Sequence, residues 1–432
     1  MKQILRKVFT FALLVLGLVA GSNAKASAAK LAIDATNFPD TAIRNALTRQ
    51  MANYVENGVY YVNTDDVQYL SVISEDGEVK NVDCLKVFPY LLNVDIAKVD
   101  ASNLNFANTV KSLYLSEITS SSVKIKADGV TSLILCAKKK TTEVTLPSLS
   151  NLTSLSLENV KLSNFDGSEC PKLTYLSLEG TQTTTVKGIE QMEDLVILYL
   201  HNTNVKSLNL SANKKLTHVY VHDNKQLTSI KMPNCASWVY VNDNNLKNID
   251  LKGVAQLSVL DVSGNKNLKA LNISGNKKLR LLLLNNTKIS KLNTSKNPNL
   301  EELDCAKTRI KSLDISKNKK LSGLDISGNK SLKKLNINNN KKLSVLSYYG
   351  SGIKKWNLSK FKTITLAYRN IKKGTIVSLN NVIGNGYKAI ATDGGIKYDK
   401  KRNSFKVTKK GIAKLTLKKG KITRIIYVYN AK

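Results

Sequence analysis

Histidine is nearly absent from this chain, with three among 432 residues. No nucleophile elbow, phosphate-binding glycine loop or zinc-binding spacing is present. Catalysis needs an oriented nucleophile or acid–base pair in a water-poor pocket, and pairs such as Glu301-Glu302 read as surface residues. The composition therefore gives little sign of an enzyme. Acids are scarce too: 32 Asp and Glu stand against 66 Lys and Arg, a net charge of +34. That excess points to polyanionic partners, whether nucleic acid, an anionic cell-wall polymer or an acidic membrane face. Past the N-terminus no apolar run reaches the ~18 residues of a membrane-spanning helix. The last residues, Tyr429-Asn430-Ala431-Lys432, carry neither a Leu-Pro-x-Thr-Gly sorting motif nor a hydrophobic tail, so any retention at a surface is expected to be non-covalent. What the chain has in ordinary amount is apolar surface. With 42% hydrophobic and 23% charged residues, wholesale disorder is excluded.

The N-terminus reads as a secretory signal peptide, residues 1–28. Lys2, Arg6 and Lys7 precede an apolar run from Val8 to Ala20, and Ala24-Lys25-Ala26 and Ala26-Ser27-Ala28 offer small-x-small cleavage sites. The run is too short to span a bilayer as a stable helix, and no Cys follows it to carry a lipid. Export argues against a dedicated nucleic-acid partner.

The rest of the chain is periodic. Triplets of the form apolar-x-apolar start at Leu70, Leu92, Leu113, Leu133, Leu155, Leu176 and Leu198, then at Val219, Val239, Leu260, Leu282, Leu303, Leu324 and Leu346, in steps of 20 to 22 residues. A second series interleaves from Val82 and Leu104 through Leu313, Leu335 and Trp356. The spacing predicts about fourteen coils of two similar halves. Leu257-x-x-Leu260-Asp261-Val262-x-x-Asn265 and Leu268-x-x-Leu271-Asn272-Ile273-x-x-Asn276 show both halves side by side. Period two places Leu260 and Val262 on one face and Asp261 on the other. One such short strand cannot bury its apolar face, but stacked coils make a continuous core. The Asn that closes each motif turns the chain inward, where its amide satisfies backbone groups. Thr181, Thr203, Asn224, Asn244, Asn265, Thr287, Thr308, Asn329 and Ser351 form this ladder, with Cys170 and Cys235 at the matching point of the second half. Earlier, Ala97, Ile118, Lys138 and Val160 replace the Asn, which predicts less regular early coils.

These motifs resemble the leucine-rich repeat family, and more narrowly the bacterial class of 21-residue nested repeats, internalin-like in broad architecture. The resemblance covers roughly residues 67–366. It implies a repeat solenoid with a short-strand sheet on one side. A solenoid must be closed at both ends. Asn37-Phe38-Pro39-Asp40, followed by Ile43, Leu47 and Met51, reads as a capped amphipathic helix with Pro in its first turn, and residues 29–66 resemble the N-terminal helical caps of secreted Gram-positive members. Tyr54 to Leu70 lacks the alternating Asp and the Gly of a calcium loop, so no calcium is predicted there. Residues 367–432 leave the period for β-like runs separated by Gly-containing turns. They read as a basic β-rich cap or as a small module similar to bacterial immunoglobulin-like domains.

Five Cys is an odd number for an exported chain. Cys84 and Cys305 sit at expected inward strand positions. Cys170 and Cys235 stand three coils apart, about 14 Å, too far to bridge. All five read as small core residues, without a disulfide framework or metal.

The candidate site lies on the exposed strand face. Three successive coils place Tyr199, Tyr220 and Tyr240 at one outward position, flanked by Ile197, His218 and Trp238 on one side and His201, His222 and Asn242 on the other. All three His are here. One reading is that aromatics suit strands and stack for stability. Another is a contact patch for protein or glycan. A metal site on His201 and His222 lacks further ligands in the sequence, so neither metal nor cofactor is predicted.

Charge supplies a second candidate. Lys214-Lys215, Lys277-Lys278, Lys319-Lys320 and Lys341-Lys342 fall at coil corners, where stacked like charges repel. Residues 354–432 hold 21 Lys and Arg against two acids, Asp393 and Asp399. Lys400, Lys401, Arg402, Lys409, Lys410, Lys418, Lys419 and Lys421 are the candidate anion-binding residues, suited to teichoic acid or a similar polymer. Taken together, the sequence predicts a secreted binding protein, non-covalently held at a Gram-positive cell surface. It offers its strand face to a protein or glycan. Internalin-like adhesion is an analogy of fold. The alternative is a structural envelope protein held by charge alone.

Overall fold

The structure is a computed structural model describing residues 29–429, apart from 52–53, 140–141, 147–149, 355–357, 359–360, 370, 384–386 and 410. The predicted signal peptide 1–28, Trp356 and Lys410 lie outside the described residues.

An eleven-residue helix, Thr41–Met51, stands near the start. Asp40 begins it: its Oδ1 accepts the backbone N–H groups of Ala42 and Ile43 at 3.0 and 3.2 Å, satisfying amides that have no partner inside the helix. Pro39 thus lies before the helix, a correction to its expected place in the first turn. Ala42, Ile43, Ala46 and Leu47 bury one face. Polar contacts fix the helix to the first strand of the main sheet and the turn after it: Gln50 Oε1 accepts Ser71 N at 3.2 Å, and Asn45 donates to the Asp76 carbonyl at 2.8 Å. Lys30–Ala32, Tyr54–Glu56 and Val59–Asn63 form a small antiparallel sheet beside it.

The main sheet is a ribbon of parallel strands, one per coil, running from Tyr69–Val72 to Thr363–Arg369. Its register follows the leucine series. Leu198 faces Val219, which faces Val239, then Leu260, Leu282, Leu303, Leu324, Leu346 and Leu366. The one slip is early. Leu70 pairs with Val94, and Val94 with Leu113, so Leu92 is not the strand residue and Val99, not Ala97, takes the ladder place. One buried hydrophobic cluster extends from Phe38 to Val428. Each fully buried Leu, Ile or Val contributes about 1.5–3 kcal/mol, and no coil could bury these residues without its neighbours.

The two half-motifs fold differently, although their sequences match. Only the first half feeds the ribbon. The second half gives short two- or three-stranded patches, such as Ser207–Asn209 with Ser229–Lys231 and Ser312–Asp314 with Lys334–Asn336, separated by turns. The physical difference lies four residues after the strand leucine. There the first half turns through the left-handed region: Asn202 (φ 52°), Asp223 (60°), Asp243 (54°), Gly264 (71°), Asn286 (58°) and Gly328 (72°). Gly, Asn and Asp adopt this conformation most readily. Gly275, at the equivalent place in a second half, has no positive φ, whereas Gly253 in another second half does (82°).

Two polar ladders line opposite corners. In the first, Asn224, Asn244, Asn265 and Asn329 each accept an N–H from the preceding coil through Oδ1, at 2.8, 2.8, 3.0 and 2.6 Å. In the second, Asn297, Asn318 and Asn340 donate to two carbonyls each at 2.8–3.0 Å. Ser351 is only half-buried. Early coils substitute apolar Ile118 and Val160, both buried. Their strands are longer rather than merely irregular: Ser112–Ile118 has seven residues, with a register shift between Leu115 and Ile118.

The five cysteines are free thiols, but they are not all core residues. Cys170 and Cys305 are buried, and Cys235 donates to the Asn213 and Leu216 carbonyls at 3.4 and 3.1 Å as a ladder member. Cys84 sits in the short 3-10 helix Asp83–Val87 instead of a strand. Cys136 occupies an outward position of Ser132–Ala137, with Sγ 3.5 Å from Glu158 Oε2.

At the far end the sheet does not stop at Leu366. Ile422–Tyr429 returns and pairs in parallel with Thr363–Arg369, Ile412–Lys419 adds antiparallel, and Lys388–Asp393 adds again. A second antiparallel sheet, Ile376–Ser378, Ser404–Val407 and Ile396–Asp399, packs here. Buried Tyr368 joins the parts: its hydroxyl bonds that of Tyr348, and its ring meets Phe405 edge-on at 5.2 Å.

Candidate binding face

Strand alternation places the predicted residues together. Ile197–His201 and His218–His222 alternate half-buried and buried side chains, and Trp238–Tyr240 follows in register. Tyr199 faces Tyr220, which faces Tyr240; ring centroids are 5.8 and 5.4 Å apart, the second pair stacked within 15°. His218 faces Trp238 at 5.4 Å and shares a 2.8 Å hydrogen bond through Nδ1 with Thr217 Oγ1. Trp238 is 43% exposed. Ile197 and Asn242 flank the rows half-buried, and Asn242 Nδ2 donates to Asp243 Oδ2 at 2.9 Å. Ser177 and Asp261 bound the tyrosine row on either side, so the patch is local.

His201 and His222 come into direct contact. Their Nδ1 atoms are 2.9 Å apart and their centroids 4.4 Å. Tyr199 Oη lies 3.2 Å from His222 Nε2, ring edge to face. Burial, with the nearby Glu179 carboxylate, pushes the Tyr199 phenol up to about 12, so it stays a neutral hydroxyl. Burial lowers His218 and raises Tyr220 and Tyr240.

Two site residues escaped the sequence reading. Asp223, the left-handed residue after His222, brings Oδ2 to 3.0 Å from His222 Nδ1 and 3.5 Å from His201 Nδ1. Burial works to raise its pKa, but His222, His201 and Lys225 outweigh that and hold it below the usual range. Glu179 pairs in register with His201, its Oε1 3.9 Å from Nε2. The available signal was the Asp at the turn position, whose left-handed geometry keeps it beside the strand end. Tyr175, beside Ile197, extends the aromatic surface by one coil.

The basic residues fall into groups at hairpin ends. Lys400, Lys401 and Arg402 occupy the turn between Ile396–Asp399 and Ser404–Val407; Lys418, Lys419 and Lys421 flank that between Ile412–Lys419 and Ile422–Tyr429. These and Lys409 are exposed. Lys388 stands opposite Lys418, and Lys397 opposite Lys406, like-charge pairs that are unfavourable without a counter-charge. Some corner lysines reach acceptors on the preceding coil. Lys215 bonds Asp194 at 2.6 Å, Lys278 bonds Gln256 at 2.5 Å and Lys320 bonds Asn299 at 2.8 Å.

No protein-family model matches the sequence, and no curated protein sequence matches it. Among solved structures, an internalin, InlF, from Listeria monocytogenes is similar at 15% identity and TM-score 0.53, over 72% of this chain and 96% of that one. A leucine-rich repeat protein from Leptospira interrogans is similar at 18% identity and TM-score 0.50, over 67% and 92%. The functional domain of InlJ from Listeria monocytogenes, which includes a cysteine ladder, aligns over 94% of this chain and 100% of that one at 16% identity, with a TM-score of 0.48. The likeness to the first two is one of fold: this chain is a β-solenoid of about fourteen turns that matches the fold of those leucine-rich repeat proteins. Among the described residues no helix is long and apolar enough to cross a membrane.

Proposed function

We propose that this chain is an exported leucine-rich repeat binding protein with two working regions. A signal peptide (1–28) directs export, the helix-containing segment 29–66 covers the start of the solenoid 67–366, and the basic segment 367–432 closes its end. The strand face around Tyr199, Tyr220 and Tyr240 meets a protein partner, and the hairpin lysines hold anionic wall polymer at a Gram-positive surface. Catalysis has no part in this reading.

The observation that carries it is the exposure of Trp238 at the edge of aligned Tyr and His rows. A stability cluster gains by hiding its largest ring, whereas Trp, Tyr and His at a partly exposed face suit contact with a protein. Stacking of Tyr220 on Tyr240 at 15° occupies one face of each ring within the protein. That favours a protein over a sugar ring seeking a flat platform.

Replacing Tyr199, Tyr220 and Tyr240 together by Ser is expected to lower the melting temperature by less than about 5 °C while changing the contact surface. A collapse of the thermal transition would make the row a stability device and overturn the contact reading.

A further inference from the structure

We propose that His201, His222 and Asp223 form a binding site for a single divalent transition ion of the zinc class, with the fourth position open to water. This inference goes beyond the partner reading, since the site is complete within one chain and needs no partner.

Geometry is the first argument. The three donor atoms, His201 Nδ1, His222 Nδ1 and Asp223 Oδ2, form a triangle with edges of 2.9, 3.0 and 3.5 Å. A tetrahedral ion held at ~2.0–2.1 Å by N and O donors needs ligand–ligand edges of about 3.3 Å. The observed edges bracket that value, so sub-ångström side-chain adjustment seats an ion above the triangle. His201, His222 and Asp223 are the metal-ligating set that converges this way among the described residues.

The orientation of the rings is the second. Each imidazole turns Nδ1 inward and Nε2 outward to a partner of its own: His222 to the Tyr199 hydroxyl at 3.2 Å, His201 toward the Glu179 carboxylate at 3.9 Å. Metal-ligating histidines take this arrangement, with the distal N–H held by a carboxylate or hydroxyl that fixes the ring and its tautomer. Two nitrogens 2.9 Å apart cannot both carry protons. One ion accepting both lone pairs satisfies them together.

The scaffold is the third. Both histidines stand at the ends of adjacent paired strands, and Asp223 follows in a left-handed turn at φ 60°. Their side chains are 16% and 18% exposed, against 40% for Asp223. The site is held firmly yet opens to solvent on one side. Lys225 lies 3.7 Å from the other carboxylate oxygen, Oδ1, leaving Oδ2 to the ion. Two imidazoles and one carboxylate oxygen suit Zn(II), Co(II), Ni(II) or Cu(II), not Ca(II) or Mg(II), which take sets of oxygens.

The test is titration of the purified full chain, made without a histidine tag, with Co(II) as spectroscopic probe and Zn(II) by calorimetry. The expected result is one ion per chain, visible d–d bands without thiolate charge transfer, and no displacement by millimolar Ca(II). The double variant H201Q/H222Q abolishes binding. Asp223→Asn, a partly exposed substitution that leaves the core untouched, weakens it at least about tenfold with an unchanged circular dichroism spectrum. Absence of saturable binding, a thiolate band placing the ion on cysteine, competition by Ca(II), or unchanged affinity in either variant would overturn the proposal.

Discussion

Replacing Asn265 with alanine is expected to destabilise the solenoid by about 3–5 kcal/mol. The side chain is fully buried and satisfies three backbone groups. Its Oδ1 accepts Leu246 N at 3.0 Å, and its Nδ2 donates to the carbonyls of Val241 and Val262 at 2.8 and 2.9 Å. Two of these belong to other segments, so the amide ties one coil to the last and fixes its own turn. Alanine removes the side-chain partner of Leu246 N and of the Val262 carbonyl, at about 1–3 kcal/mol for each stranded group, while the Val241 carbonyl keeps Asn244 Nδ2 at 2.9 Å. Asn297 in the opposite ladder is the internal control. It donates to Ile273 and Asn276 carbonyls, but its own Oδ1 has no protein hydrogen bond. Asn297→Ala therefore costs less, about 2 kcal/mol. Urea denaturation of the two variants measures this, and an equal or reversed order would contradict the account. Asn265→Thr is expected to recover part of the loss, because Thr308 holds the same ladder place by donating to the Cys305 carbonyl at 3.0 Å.

Arg424→Ala is the second large effect, about 3 kcal/mol. Arg424 is 1% exposed in the returning C-terminal strand. Nη1 donates to the carbonyls of Phe361 and Thr423, and Nη2 to that of Leu358, each at 2.9 Å. The guanidinium thus binds the last coil's turn to the strand that closes the sheet, with the Tyr387 ring 5.9 Å away. Burial pushes its pKa down from the usual arginine range, and this desolvation limits the net gain from the charge itself. Alanine removes the donors and takes the side-chain partner from the Phe361 carbonyl, while the Leu358 carbonyl keeps Phe361 N at 3.1 Å. Lysine restores part of the loss, since one ammonium cannot reproduce the planar fork. A cost below ~0.5 kcal/mol for Arg424→Ala, the level of an ordinary surface change, would show that the C-terminal segment is not fastened this way. The same contact means that deleting 367–432 would uncover the solenoid end. Exposed lysines should therefore be neutralised in place.

The leucine spacing made the ribbon legible, because each coil repeats the same burial problem at Leu198, Val219, Leu260 and onward. It misled at Leu92, where adjacent Leu91 and Leu92 offer two registers and the pairing to Leu70 selects Val94. The match between half-motifs hid their different folds, since Asn265 and Asn276 look alike while only the first follows a left-handed residue, Gly264. Attention to the Asp at the turn position, Asp223, would have found the third donor beside the histidines. The closing sheet was not legible in its order. Thr363 pairs with Thr423, and no repeat links segments that far apart. The tyrosine and histidine rows came directly from counting outward positions, because period two leaves no choice of face once the inward leucines are fixed. The basic segment was legible as charge and as β-like runs, but not as the order in which those runs pair.

The measurement that bears most directly on the division of labour is binding of the protein (residues 29–432) to purified Gram-positive cell walls, with and without teichoic acid, across a salt series. Three proteins are compared: wild type, the triple tyrosine-to-serine variant, and a variant with Lys400, Lys401, Arg402, Lys418, Lys419 and Lys421 replaced by Gln. The account predicts wall binding that weakens with salt, disappears without teichoic acid, is lost in the lysine variant and is untouched in the tyrosine variant. Undiminished binding by the lysine variant, or loss of binding in the tyrosine variant, would contradict it.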